Sequence, residues 1–327
     1  MKVYVRNALA NPEELSGKGL FCCRLSKALM TMEIEMTADT TASADVSVNV
    51  IAIENDIAKV RIVRLDGVYH NTGMNYLGKN KRFRDNLFAS DGVVFQSKFS
   101  EQMCEKYLGH YKGPRQVIHN GTDPEYYKSV LPAKIKEKNV FVAFARWRPH
   151  KRLTEIIECF LQANIEDSVL IIGGDLKKSR MLEPEQKKYF NLPNVRYLGK
   201  LSQREMASYY RIAKASLHLC WVDWCPNSVV EALVANVPVI CGNVGGTSEL
   251  VECAGGIICN IDKPYDKNPM ELYVPPAIDR NIVVNAIRKC AAGEVVVNSN
   301  KLYIDYIAKQ YLAFMQRVLK TKGVKYD

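Results

Sequence analysis

The sequence predicts an α/β protein of two domains, each built on an open parallel sheet. Short β-branched runs alternate with helical patterns along most of the chain, as in sheets whose parallel strands are joined by helices. The length of 327 residues and the hydrophobic content of 47% suffice for two cores. A turn-rich segment at 120–124 and a lysine-rich stretch at 134–138 predict the boundary between them.

Three segments follow from this division. We expect a short first domain over 1–130, a second domain over 138–300, and a closing helix over 301–327 that packs back toward the first domain.

In the first half, five short runs predict strands and two patterns predict helices. The strands are expected at 3–5, 46–53, 60–63, 92–95 and 116–118, and the helices at 20–30 and 99–108. The polar stretch at 79–84 is compatible with a helical face.

The second half contains a longer series of the same alternation. Strands are expected at 140–145, 169–172, 195–198, 216–219, 237–241 and 256–259, and helices at 153–162, 202–214, 228–235, from 248, at 282–291 and at 302–318. Ser202 and Glu205 form the sequence pattern of a capping box, and Asp279 can cap a later helix. The near-continuous apolar strands indicate a parallel sheet that is covered on both faces.

The net charge of +10 raises the question of a polyanionic partner. The basic residues are scattered in small groups among acids, and no aromatic-interleaved RNA motif accompanies them, so we expect no nucleic-acid partner. Peripheral attraction of the 79–84 stretch to an anionic membrane surface stays open beside the commoner outcome of solvated charge.

The cysteine pattern and the hydropathy of the sequence predict the cellular compartment of the protein. The ten cysteines sit singly in apolar segments or as the adjacent pair Cys22 and Cys23, and no CxxC spacing suggests a structural metal. We expect reduced core thiols. Without a secretory leader or an apolar stretch near 18 residues, the sequence predicts a cytoplasmic, non-spanning protein.

Three loops of the second half stand at the carboxyl ends of predicted strands, where open α/β sheets bind ligands. The first contains Arg146 and Lys151, two cations that could clamp a diphosphate or could simply be solvated. The second contains Asp223, followed eight residues later by Glu231 in the expected first turn of a helix, where an acid is also common as a partner of the helix dipole.

The third loop contains Gly245, Gly246 and Thr247 between a strand and a helix. Paired glycines allow a phosphate to approach the backbone, and the amides of the helix N-terminus point at it. A tight turn without a ligand is the alternative reading of the same glycines.

The run from 141 to 252 resembles the donor-binding domain of the retaining glycosyltransferases of family 4, which have the GT-B fold. The resemblance rests on the order of its parts: Arg146 and Lys151, the turn at 171–175, the segment at 198–199, the acid-x7-acid motif from Asp223 to Glu231, the segment at 232–238, and then Gly245, Gly246 and Glu249. In the first half, the segment at 117–123 is similar to the interdomain segment of the family. Gly17 and Gly19 are similar to its glycine-bearing loop near the donor.

The resemblance implies two Rossmann-like domains that face a central cleft, with an acceptor domain first and a nucleotide-sugar domain second. It implies that Arg146 and Lys151 hold the donor diphosphate, that Glu231 binds the ribose, and that the amides of 245–247 surround phosphate. Asp223 would face the transferred sugar, although the family motif usually starts with Glu. A first-domain histidine often faces the same sugar, which suggests His70 together with Asp66; the alternative is a solvated loop histidine.

The implied activity is retaining, metal-independent transfer of a hexose-type sugar from a nucleotide-diphosphate sugar, UDP- or GDP-linked, to a hydroxyl-bearing glycan or glycoconjugate, without a cofactor. The candidate catalytic residues are Asp223, His70, Arg146 and Lys151. The candidate donor-binding residues are Gly17, Gly19, Arg146, Lys151, Glu231, Gly245, Gly246 and Thr247. Among the other histidines, His119 and His150 are expected as flanking loop residues and His218 as a core residue of a strand.

Other functions remain compatible with these residues. A nucleotide-sugar epimerase or a phosphorylase-like enzyme shares the fold, and a non-catalytic sugar-nucleotide binding protein would explain the short first domain. A nicotinamide dehydrogenase is disfavoured because no GxGxxG follows the first strand. The sequence is silent on the oligomeric state.

Overall fold

The protein folds into two α/β units. A computed structural model describes residues 1–15, 17–176 and 188–325. Its internal contacts assign Met1–Asp123, Lys267–Pro269 and Lys301–Asp327 to unit 1, and Pro124–Asp266 and Met270–Asn300 to unit 2. Each unit holds a six-stranded sheet in which every described strand pair is parallel, which confirms the α/β class and two Rossmann-like domains. The expected linker at 134–138 lies inside unit 2.

Unit 1 has the strand order β2-β1-β3-β4-β5-β6. Its strands are β1 (Lys2–Val5), β2 (Glu35–Thr37), β3 (Val46–Val50), β4 (Val60–Leu65), β5 (Gly92–Phe95) and β6 (Arg115–Val117). Its first three helices are α1 (Gly17–Met30), α2 (Tyr76–Ala89) and α3 (Lys98–Leu108). The sequence did not predict β2, because three residues on a sheet edge are too few to show alternation.

Unit 2 has the strand order β12-β11-β10-β7-β8-β9. Its strands are β7 (Asn139–Phe144), β8 (Ser168–Gly173), β9 (Val195–Tyr197), β10 (Ala213–His218), β11 (Val239–Gly242) and β12 (Gly256–Cys259). Its helices are α4 (Pro124–Ser129), α5 (Leu153–Ala163), α6 (Gln203–Tyr210), α7 (Asn227–Val234), α8 (Gly246–Ala254) and α9 (Arg280–Ala291). Almost every side chain of β7 and β8 is buried, as expected for a sheet covered on both faces.

The last helix, α10 (Ile304–Thr321), belongs to unit 1. Its apolar stripe is buried in the same core as α1 and the central strands, and the ring centroids of Tyr311 and Phe21 lie 6.0 Å apart. The chain is fixed beside this helix by a parallel bridge between Thr122 and Tyr303. Unit 1 therefore takes part of its core from the last described residues of the chain.

Helix starts follow local capping chemistry. Ser202 and Glu205 form the expected capping box at α6, and Asp279 accepts a hydrogen bond of 2.9 Å from the amide of Asn281 at α9. Asn236, with φ of 64°, takes the left-handed conformation between α7 and β11. The expected start of α1 near Leu20 was wrong, because the helix already begins at Gly17.

No described helix combines the length and the apolar character that crossing a membrane requires. The ten cysteines form no disulfide, and nine of them are buried, in agreement with the expected core thiols.

Candidate functional site

The three predicted loops of unit 2 follow β7, β10 and β11 at one edge of a single sheet. β7 is the first strand of the unit along the chain, and β10 lies directly beside it, while the later strands continue outward on the two sides. The direction of winding therefore reverses between β7 and β10. Open α/β sheets bind ligands outside the carboxyl ends of the strands at such a point.

Lys151 and Asp223 meet at this point. The ammonium of Lys151 forms an ion pair and a hydrogen bond with Oδ2 of Asp223, and only 14% and 16% of the two side chains are exposed. Burial by itself would lower the pKa of Lys151, but the Asp223 carboxylate outweighs burial and raises the pKa above its ordinary value. Conversely, burial would raise the pKa of Asp223, and Lys151 holds it well below its ordinary range. The pair is therefore fully ionised at neutral pH.

His218 is the third member of this cluster, and it is a buried strand residue, as expected. It is the last residue of β10, and its Nε2 lies 3.3 Å from Oδ2 of Asp223. Burial lowers the pKa of His218, and the charge of Lys151 acts in the same direction, so the ring is neutral at pH 7. A neutral ring protonated on Nε2 donates to the carboxylate. Its position at the carboxyl end of a strand, five residues before Asp223, is the sequence signal that identifies it.

Cys220 lies beside His218 and Asp223, and the three residue types are potential cation ligands. The ligand atoms of His218, Cys220 and Asp223 lie within 4.8 Å of one another. Burial raises the pKa of the Cys220 thiol to about 12, so the thiol is protonated at neutral pH. Lys151 hydrogen-bonds both Cys220 and Asp223, and its ammonium supplies the positive charge among these groups.

The glycine loop lies against the backbone of Asp223. Gly245 has a φ of 97°, and a Cβ atom at this position would lie 2.8 Å from the carbonyl oxygen of Asp223. The amide of Gly246 donates to that oxygen over 2.8 Å. Close backbone approach, which only glycine permits here, therefore sets the N-terminus of α8 beside the Lys151–Asp223 pair.

Thr247 stands in the first turn of α8. Its side chain is 2% exposed, and among the described residues its Oγ1 has no hydrogen-bond partner. Burial of a hydroxyl group without a hydrogen-bond partner destabilises a folded protein. The Thr247 hydroxyl lies where the N-terminus of a helix favours an anion.

Glu231 and Arg146 occupy very different environments. Glu231 is 3% exposed and accepts a hydrogen bond of 3.1 Å from Nε2 of Gln203. Its expected place in the first turn of a helix was wrong, because α7 starts at Asn227 and Glu231 lies in the second turn. Arg146 is exposed, and within the described part of the chain no ion pair engages its guanidinium. The cation of the loop that meets the acid is therefore Lys151.

Arg152, which sequence reasoning missed, fixes the loop that carries Lys151. It is fully buried in the left-handed conformation, with φ of 55° and ψ of 46°. Its guanidinium pairs with both carboxylate oxygens of Asp262, at 3.0 and 2.5 Å, and donates to the carbonyl oxygen of Leu219 at 3.3 Å. One buried side chain thus ties the loop after β7 to the loops after β10 and β12.

Residues 273–276 of unit 2 contact the same loop. The carbonyl oxygen of Pro276 accepts a hydrogen bond of 3.0 Å from Arg152. The ring of Tyr273 stacks on His150, with centroids 5.4 Å apart. His150 was expected as a flanking loop residue, but it is buried, and burial lowers its pKa to about 3.

Unit 1 holds the remaining predicted residues. His70 follows β4 and is 4% exposed, so its alternative as a solvated loop residue was wrong; burial lowers its pKa. Asp66 pairs with the buried Arg64 at 2.6 Å and accepts a hydrogen bond from Gln96. Nδ1 of His119 lies 2.7 Å from the carbonyl oxygen of Gln96, to which it donates when the ring carries its proton on Nδ1.

The two predicted glycines lie in the first turn of α1. Gly17 has a φ of 55°, and a Cβ atom on Gly19 would come within 2.8 Å of Nδ2 of Asn7. Asn7 follows β1, so the start of α1 packs closely on the carboxyl end of that strand.

Comparison with known proteins finds one matching family model in unit 2. Residues 130–264 match the model of the family described as glycosyl transferases group 1. This segment contains Lys151, Asp223, Glu231 and the glycine loop. No curated protein sequence matches the chain significantly.

Solved structures extend the likeness to both units. The chain is similar to sucrose-phosphate synthase from Thermosynechococcus elongatus, with a TM-score of 0.63, 13% identity, and coverage of 98% of this chain and 95% of that one. It is similar to a glycosyltransferase involved in avilamycin A biosynthesis, with a TM-score of 0.60, 17% identity and 98% coverage of both chains. It is also similar to HepE from Anabaena in complex with UDP and glucose, with a TM-score of 0.58, 16% identity and 99% coverage of both chains.

At these identities the structural likeness establishes the fold alone. The chain thus has the GT-B fold, and its residues 130–264 are similar to the glycosyl transferases of group 1.

Proposed function

We propose that the protein is a retaining, metal-independent glycosyltransferase that moves a hexose from a nucleotide-diphosphate sugar to a hydroxyl group of a glycan or glycoconjugate. The observation that carries the proposal is the meeting of Lys151, Asp223 and the N-terminus of α8 where the winding of the unit 2 sheet reverses. A fixed cation and a helix N-terminus outside the carboxyl ends of a parallel sheet are the groups that bind a nucleotide diphosphate.

The diphosphate would lie against Lys151 and the first turn of α8. The ammonium is charged and already held in place, and the buried Thr247 hydroxyl can donate to a phosphate oxygen. The exposed Arg146 would close on the diphosphate from the solvent side. Such preorganised charge stabilises the negative charge that grows on the leaving diphosphate, which is the largest contribution expected in this reaction.

Asp223 and Glu231 would take the hydroxyl groups of the donor. Both Asp223 oxygens have partners, with Oδ1 accepting from the amide of Trp224 at 2.9 Å and Oδ2 bound to Lys151 and His218. A carboxylate that is so stabilised is a weak nucleophile. This supports attack of the acceptor on the face from which the diphosphate departs, rather than a covalent intermediate on Asp223. Glu231 would accept hydrogen bonds from the ribose.

Lys151 supplies the charge that a divalent cation would otherwise bring to the diphosphate. We therefore propose that transfer proceeds in the presence of EDTA. UDP is the first candidate for the nucleotide of the donor, since structures of the similar HepE contain UDP and UDP-glucose. GDP is the second candidate.

Thermal unfolding in EDTA tests the donor site. UDP, GDP, ADP and their hexose conjugates are added singly to the wild type, to Glu231→Ala and to Glu252→Ala, an exposed acid of α8 that serves as the matched control. We expect one nucleotide family to stabilise the wild type and the control by about 2.7 kcal/mol at a hundred times its Kd. Glu231→Ala should lose this stabilisation. Equal stabilisation of all three proteins would remove Glu231 from the site.

A transfer assay then separates the candidate functions. The stabilising donor is incubated with a panel of glycan acceptors in EDTA, and the products are followed by NMR. Release of nucleoside diphosphate that depends on the acceptor, with an anomeric configuration equal to that of the donor, is the expected result. Interconversion of the donor sugar would indicate an epimerase, and binding without turnover a non-catalytic protein.

The resemblance also implies a role for His70 against the donor sugar. His70→Ala is expected to lower kcat/KM by about a hundredfold, as for a group that acts only in the transition state, with less change in nucleotide binding. The matched control is His119→Ala in the same unit. Turnover of His70→Ala within a factor of about three of the wild type would contradict this role, at the scale of a surface substitution.

A further inference from the structure

Asp262 connects two loops of unit 2 that line the candidate site. It follows the end of β12 by three residues, and its side chain is completely buried. Its carboxylate oxygens bind the guanidinium of Arg152, the neighbour of Lys151 in the loop after β7. Its backbone binds the side chain of Asn243, which follows β11 and precedes the glycine loop. One residue therefore holds both the loop of the cation and the loop that leads to the N-terminus of α8.

The contact between Asn243 and Asp262 runs in both directions. Nδ2 of Asn243 donates to the carbonyl oxygen of Asp262 over 2.9 Å, and Oδ1 accepts from the amide of Asp262 over 2.9 Å. Nδ2 also donates to Oδ1 of Asn260 over 2.9 Å. A side chain that uses its donor and its acceptor on one backbone residue fixes distance and orientation together. The loop after β11 is thus held to the loop after β12 just before the glycines begin.

The carboxylate of Asp262 also lies against the end of β11. A Cβ atom on Gly242, the last residue of this strand, would come within 3.1 Å of Oδ2 of Asp262, so the close approach depends on glycine. Only two residues separate Asn243 from Gly246, where α8 begins. The position of the first turn of α8 therefore follows from the position of Asp262.

We propose that Asn243 is a positioning residue that makes the donor site selective for nucleoside diphosphates over monophosphates, a role that rests on the proposed function. The diphosphate would extend between Lys151 and the first turn of α8, and Asp262 sets this spacing because it is bound to both loops. A nucleoside monophosphate has a single phosphate to place, so its binding does not depend on the spacing between two groups. Loosening the contact between Asn243 and Asp262 should therefore weaken the binding of diphosphates alone.

Isothermal titration calorimetry in EDTA, at a temperature well below unfolding, tests this role. UDP and UMP are titrated into the wild type and into Asn243→Ala, with GDP and GMP as the second pair. UDP affinity should fall about tenfold, because binding must then restore the order that two hydrogen bonds to Asp262 provided. UMP affinity should change by less than about threefold, as at an ordinary surface position. A loss of stability alone would leave the ratio of the two affinities unchanged.

Asn139→Ala is the matched control. Asn139 is also partly buried, and its Nδ2 donates to the carbonyl oxygen of Glu166 over 2.9 Å, but it lies at the start of β7, on the opposite edge of the sheet. This control should bind both nucleotides as the wild type does. Asn243→Ser leaves one polar atom in place and should change the ratio in the same direction as Asn243→Ala, to a smaller extent. Melting curves verify that every variant is folded.

Two results would contradict different parts of the argument. An unchanged ratio of UDP to UMP affinity in both Asn243 variants would overturn the positioning role and leave the donor site standing. Failure of the wild type to bind any nucleoside diphosphate would instead overturn the proposed function, and the role of Asn243 with it.

Discussion

Replacing Lys151 with methionine is expected to lower kcat/KM for sugar transfer by about a hundredfold to a thousandfold, the effect of removing one preorganised group that stabilises developing negative charge. The substitution also leaves the Asp223 carboxylate buried without its ammonium partner. Losing one partner of a buried ion pair costs about 3 kcal/mol or more of unfolding free energy. Activity and stability should therefore fall together, as measured by steady-state kinetics and by urea unfolding.

The double variant Lys151→Met with Asp223→Asn separates these two effects. An asparagine keeps the shape of the side chain and removes the unpaired charge, so the double variant should recover most of the lost stability. Its activity should stay at or below the level of the single variant, because the cation that faces the diphosphate is still missing and Asp223 no longer supplies a carboxylate. Recovery of turnover together with stability would show that Lys151 only holds the loop in place.

Arg152→Gly is expected to destabilise unit 2 by about 3–5 kcal/mol, because it leaves the buried Asp262 carboxylate without its guanidinium. Glycine relieves a left-handed conformation that costs a side chain about 1 kcal/mol, so the backbone by itself would favour the substitution. The two effects have opposite signs, and the buried charge is the larger. Urea unfolding measures their sum.

Asn164→Gly is the matched control for the backbone effect. Asn164 is exposed, caps the end of α5 and has almost the same backbone conformation as Arg152, with φ of 50° and ψ of 49°. This control should change the unfolding free energy by no more than about 0.5 kcal/mol, as at an ordinary surface position. Asp262→Asn added to Arg152→Gly should restore part of the loss. If Arg152→Gly unfolds as the wild type does, the ion pair with Asp262 makes no net contribution.

The repeating α/β pattern was readable because buried parallel strands are nearly continuous apolar runs. β5 and β12 were predicted to the residue, and most other strands to within a few residues. The edge strand β2 was not predicted because its three residues, Glu35–Thr37, are polar or only partly buried. The helix starts at the caps Ser202 and Asp279 were predicted, whereas the start of α2 at the cap Asn75 was not. The start of α1 at a glycine with positive φ carried no capping signal.

The sequence predicted which loops form the candidate site but not which side chains contact each other there. The order of motifs indicated which strand ends meet, and Lys151, Asp223 and Gly245 do meet in unit 2. The sequence could not show that Lys151 pairs with Asp223, because the two residues are 72 positions apart. The role of Arg152 was not predicted for the same reason, since its partner Asp262 is 110 residues away. In addition, an arginine in a loop usually remains solvated.

The division of unit 1 along the chain has a consequence for synthesis. Residues Met1–Asp123 of unit 1 emerge from the ribosome first. The core of unit 1 is completed by α10, which emerges after all of unit 2. At roughly 5–20 residues per second, the interval is on the order of ten seconds or more. During this time the apolar faces that α10 will cover, including Phe21, stay open to solvent and to other nascent chains. Unit 2, which is contiguous apart from Lys267–Pro269, can finish folding while unit 1 waits for the synthesis of α10.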